Sequence, residues 1–96
     1  MRDAKEARDT RVQIGETFAR VRAHELTVRE LLESPPACLG NVRVYDVLRR
    51  IPSLNKSGAE RVCRKAKLWP LWPYGTLTHE DRQAIITHLP PRVDLD

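Results

Sequence analysis

No apolar run in this chain approaches the roughly 20 residues that a bilayer-spanning helix needs, so no membrane-spanning helix is expected. The start, Met1-Arg2-Asp3-Ala4-Lys5-Glu6, is charged and no apolar stretch follows it, so no secretory signal is expected. Cysteine is sparse: Cys38 and Cys63 are the two present, and without a signal for an oxidising compartment they are expected as reduced thiols. Glycine is sparse too. Gly40, Gly58 and Gly75 stand singly, so there is no glycine-rich loop to cradle a nucleotide's phosphates.

The residue types that do chemistry are equally unpatterned. His24, His79 and His88 have no spacing that would seat a metal with Cys38 and Cys63, and neither Cys-x-x-Cys nor His-Glu-x-x-His occurs. His79 sits where a helix should start and is read as part of that start, not as a general base. A chain of 96 residues also has no room for both a core and a separate deep substrate cleft. No enzyme, cofactor, metal or small-molecule substrate is expected. The seven prolines punctuate the chain without saturating it, which argues for a folded domain.

Charge is what the chain has, and it is unevenly placed. The net charge is +4. Residues 1–34 carry seven basic and seven acidic side chains and balance to zero. Residues 42–67 carry Arg43, Arg49, Arg50, Lys56, Arg61, Arg64, Lys65 and Lys67 against Asp46 and Glu60. Residues 68–96 are slightly acidic. A positive block between neutral and acidic flanks suits a polyanion partner, although a solvated helix face would look the same.

Periodicity predicts an all-α fold of about five helices. Ile14, Phe18 and Val21 fall at helical spacing within a first helix over 9–26, and the first eight residues are expected to fray. Thr27-Val28-Arg29-Glu30 fits a capping box for a short second helix that Ser34-Pro35-Pro36 stops. Val44, Val47, Leu48 and Ile51 form one apolar stripe, predicting a third helix over 42–51 that ends at Pro52. Ser57-Gly58-Ala59-Glu60 reads as a second capping box, with Ala59, Val62, Cys63 and Ala66 facing inward. Thr78-His79-Glu80-Asp81 opens a fifth helix that Pro90-Pro91 closes.

The richest stretch is the turn and the helix after it. Free amides at a helix start bind phosphate with the help of the helix dipole, and here Asn55, Lys56, Ser57 and Gly58 occupy that start. Gly58 is expected to let a backbone approach, and Arg61, Arg64, Lys65 and Lys67 to extend the contact along a strand. Such contacts position a protein on DNA without reading its sequence.

Residues 31–89, and above all the run Leu39-Gly40-Asn41-Val42-Arg43 through Ile51-Pro52-Ser53-Leu54-Asn55-Lys56-Ser57-Gly58-Ala59, resemble the actinobacterial type of integration host factor. The resemblance implies a long helix followed by a helix-two-turns-helix core, non-specific duplex binding, and roles in nucleoid compaction and phage recombination. The chain is accordingly expected to divide into a helical arm over 1–33, a DNA-binding core over 34–92 and a loose tail over 93–96. In the family's turn, lysine corresponds to Lys56, glycine to Asn55 and the helix alanine to Ala59. Asn55 departs from that pattern, and asparagine tolerates the left-handed conformation a glycine would take.

A second departure follows. Where the family carries an arginine cluster, this chain has Trp69-Pro70-Leu71-Trp72-Pro73-Tyr74-Gly75. Trp69 is expected in the core. Trp72 and Tyr74 are open between packing, nucleic-acid contact and a protein-binding patch. The expected partner is double-stranded DNA in the cytoplasm, in association with the nucleoid. The alternatives are a protein partner through residues 69–75, or RNA.

Overall fold

The computed structural model describes residues 4–96, with side chains from residue 9. The fold is all-α. Its helices are α1 (Ala4–Arg22), α2 (Val28–Glu33), α3 (Val44–Arg49), α4 (Lys56–Ala66) and α5 (His79–His88), with 3-10 turns at Ala37–Leu39 and Tyr74–Thr76. For residues 1–3 the expected fraying lies outside the described residues, and from Ala4 the chain is already helical.

Helix ends follow local chemistry. Thr27 accepts the Glu30 amide at 3.0 Å, while the Glu30 carboxylate takes a bond from the Thr27 hydroxyl and not from its backbone. Thr78 and Asp81 form the complete reciprocal box at α5, at 3.1 and 3.0 Å. Two ends carry no glycine signal. At α1, Glu25 N donates to Arg20 O at 2.9 Å and His24 N to Val21 O at 3.1 Å, with His24 left-handed at φ 62°. At α4, Leu68 N donates to Cys63 O and Lys67 N to Arg64 O, with Lys67 left-handed at φ 61°. Both are Schellman ends with a side chain where glycine is usual, so α1 stops at Arg22, short of the expected Leu26.

One core joins the whole described chain. α3 packs on α4, α4 on α5 and α5 on α2, while α1 lies against the Ala37–Leu39 turn. Phe18 and Val21 of α1, Leu31 and Leu32 of α2, Val47 and Leu48 of α3, Val62 and Cys63 of α4 and Ile85 of α5 are all buried together. Each large apolar side chain so enclosed contributes about 1.5–3 kcal/mol. The segment 93–96, expected as a loose tail, lies on α2: Val93 is buried, Leu95 O accepts the Arg29 amide at 3.0 Å and Asp96 pairs with Arg29 at 3.2 Å.

Two loops cross tightly where α3 begins. Gly75 N donates to Gly40 O at 3.0 Å, and a Cβ on Gly75 would lie 3.0 Å from both Gly40 Cα and its carbonyl oxygen. A side chain there would push the Gly40 backbone aside by a few tenths of an ångström.

Candidate functional site

The turn before α4 sets the site. Arg50 and Ile51 close against Val47 and Leu48 carbonyls, then Leu54 N donates to Ile51 O at 3.1 Å, giving two successive turns between α3 and α4. The left-handed residue of this connection is Ser53, at φ 71°. Asn55 is extended instead, at φ −96°, so its expected left-handed conformation is not found.

Asn55 is the N-cap. Its Oδ1 accepts the Gly58 amide at 2.7 Å, and its carbonyl accepts Ala59 N at 2.9 Å. The cap therefore falls two residues before Ser57, because asparagine reaches the third amide as well as serine does and the helix starts at Lys56. Replacing Asn55 with alanine should cost about 1 kcal/mol, whereas Ser57→Ala should cost little. Urea unfolding of the two variants checks the order.

Gly58 has a different use from the one expected. A Cβ there would lie 2.6 Å from Leu54 Cδ1, and Leu54 is buried. The bare glycine makes room for Leu54 beneath the helix, and its amide is already taken by Asn55. The open donors at this end are the amides of Lys56 and Ser57, which have no partner among the described residues.

Along α4, Ala59, Val62 and Cys63 face the core, and Lys56, Ser57, Arg61, Arg64, Lys65 and Lys67 are all exposed. Ser57, Arg61 and Arg64 follow i, i+4, i+7 spacing along the outward stripe. None of the five cations forms an ion pair among the described residues. Glu60, the single acid on the helix, lies one turn from both Lys56 and Arg64 without pairing to either.

The other cations of the basic block are occupied. Arg43 and Arg49 both bond Asp46, at 2.6 and 2.8 Å. Burial raises the Asp46 carboxyl's pKa, but the hydrogen bonds from Arg49 and Arg43 outweigh it and leave it below the ordinary range. The stability so gained is present above the unfolded pKa and is lost as pH falls through the lowered one. Arg50 lies 4.4 Å over the Phe18 ring, a cation–π contact.

Arg92 joins the site from the far end of the chain. Its Nε donates to Ser53 O at 2.8 Å, and its guanidinium lies beside Gly58. A groove of about 320 Å³ between α4 and the segment after α5 is lined by Arg61, Lys65, His88 and Arg92. Sequence reasoning missed Arg92, since nothing within a few residues of it marks a site.

The aromatic segment divides differently from expectation. Trp69 is 58% exposed, so its placement in the core is overturned; Trp72 is 46% exposed and Leu71 51%. Tyr74 is wholly buried, its hydroxyl donating to Leu32 O at 2.7 Å, which removes it from any contact surface. Burial, partly offset by Arg82, pushes its pKa well above the usual tyrosine range, so the hydroxyl remains a donor near neutral pH. The backbone explains the inversion. Val44 N donates to Trp72 O at 2.8 Å and Tyr45 N to Pro70 O at 2.9 Å, so the segment's carbonyls cap α3, whose own N-cap Arg43 offers no side-chain bond. With the Pro70 and Trp72 carbonyls turned to α3 and the Trp69 carbonyl closing the turn on Trp72 N at 3.1 Å, both tryptophan side chains are left exposed.

Compared with known protein families, curated proteins and solved structures, the chain matches none. Function rests on the site itself. Cys38 and Cys63 are free thiols; Cys63 is buried, and that burial, with Glu60 nearby, raises its pKa and keeps it poorly nucleophilic. Among the described residues no cluster of three or more His, Cys, Asp or Glu could hold a metal ion, and no helix is long and apolar enough to cross a membrane.

Proposed function

We propose that this chain is a small architectural DNA-binding protein, akin in role to actinobacterial integration host factor, that holds duplex DNA by its phosphates through α4 and the turn before it. The observation that carries this reading is the contrast within the basic block. Arg43, Arg49 and Arg50 are held by Asp46 or over the Phe18 ring, whereas the four cations of α4 and Lys67 at its C-cap are exposed and form no ion pair among the described residues. The open Lys56 and Ser57 amides at the positive end of α4, with Arg92 beside them, supply donors that suit a phosphate oxygen.

On this reading the protein is not an enzyme. It reads no bases through α4, because phosphate contacts carry no sequence information. Its work is to shape or compact DNA in the nucleoid, or to support site-specific recombination.

Four contacts, from Lys56, Arg61, Arg64 and Lys65, predict that log K falls with log salt at a slope of about −3.6. Affinity should then drop roughly 150-fold between 50 and 200 mM salt. Fluorescence anisotropy with a labelled duplex measures this, alongside Lys56→Glu and Arg64→Glu variants, each of which should weaken binding and flatten the slope. Binding that ignores salt and both charge reversals would sink the proposal. A double-stranded RNA competitor that displaces the duplex more effectively than unlabelled DNA would redirect it to RNA.

A further inference from the structure

We infer that the Trp69–Trp72 turn is a stacking platform for unpaired bases, so that the protein prefers DNA in which a strand leaves the duplex beside the backbone held by α4. This rests on the phosphate-binding reading above. Trp69, Leu71 and Trp72 expose about half of their surface each, at 58, 51 and 46%. They do so from a pinned backbone: Trp72 N donates to Trp69 O at 3.1 Å, Pro70 and Trp72 carbonyls hold α3, and Tyr74 anchors the next step in the core. Rings presented from a fixed turn lose little freedom when a base stacks on them.

Beside the turn runs an open groove of about 450 Å³. Tyr45, Leu68, Pro70 and Leu71 make its walls apolar, and Arg64 and Glu60 are its charged members. Arg64 is also a cation of α4 without an ion pair among the described residues, so the groove's apolar wall and the phosphate row are continuous. A nucleotide has the matching form: a flat apolar ring with an anion one sugar away. Glu60 repels a second phosphate there and offers an acceptor to a base's exocyclic amine. An apolar peptide would match the groove but not the row of cations that leads into it.

The test compares one labelled duplex with the same duplex carrying a gap of three unpaired nucleotides, at fixed salt, by anisotropy and tryptophan fluorescence. The gapped DNA should bind about tenfold more tightly and quench the tryptophans. A Trp69→Ala, Trp72→Ala double variant should lose that preference and keep its affinity for the intact duplex. Its fold should survive, since α3 uses only backbone carbonyls of this segment. The corresponding double tyrosine variant should retain the preference, because it keeps a ring to stack on.

Equal affinity for the two DNAs, or a preference that survives in the double alanine variant, overturns the inference and leaves the turn to a protein partner. Failure to bind either DNA overturns the phosphate reading, and this inference with it.

Discussion

Tyr74→Ala is expected to remove about 3–5 kcal/mol of stability, far more than truncating either exposed tryptophan of the same segment. Tyr74 is wholly buried in the segment between α4 and α5, and truncation would leave a cavity under α2 and α3. A domain of this size has roughly 5–14 kcal/mol in total, so the variant should be barely folded. Tyr74→Phe isolates the hydroxyl. It keeps the ring and strands the buried Leu32 carbonyl, at a cost of about 1–3 kcal/mol. Trp69→Ala and Trp72→Ala should each stay within about 0.5 kcal/mol of the parent, as exposed substitutions do. Urea midpoints at a constant slope measure all four. A Trp69→Ala variant less stable than Tyr74→Ala would contradict the packing described for this segment.

The second large effect is on binding. An Arg61→Ala, Arg64→Ala, Lys65→Ala triple variant removes three exposed cations of α4 while leaving its apolar face and Asn55 cap intact. Alanine favours helix, so α4 should persist. Each phosphate contact adds about 0.9 to the salt slope, so the slope should flatten from about −3.6 to about −0.9. Referred to 1 M salt, three lost contacts weaken binding roughly 500-fold at 0.1 M. Because the lost partners are phosphates, the loss should be equal on GC-rich and AT-rich duplexes. A loss confined to one sequence would mean that α4 meets base edges, and a loss under about threefold would place the DNA elsewhere on the protein.

Both predictions depend on which side chains a local pattern could assign. The apolar stripe Val44-Val47-Leu48-Ile51 and the Thr78–Asp81 cap were legible because each is decided within two helical turns. So was the exposed row Arg61, Arg64 and Lys65, which lies opposite Ala59, Val62 and Cys63 by helical geometry. The cap of α4 was read at Ser57 from its pattern and is taken by Asn55 instead. Either residue can cap a helix, and the choice depended on where the two turns after α3 released the chain. The Schellman ends at His24 and Lys67 were hidden for a similar reason: the expected glycine is absent from both.

What the amino-acid order determined by itself was the helical class, the inward faces of α3 and α4, and the concentration of positive charge on the outward face of α4. Each follows from side-chain chemistry repeated at 3.6 residues per turn. Tertiary structure alone decided the roles of the aromatic segment, Gly58, Arg92 and the 93–96 tail. These depend on partners far away in the chain: Val44 and Tyr45 amides for the Trp-Pro segment, Ser53 for Arg92, and Arg29 for the tail. Arg29 and Asp96 are 67 residues apart, a separation that no local periodicity encodes.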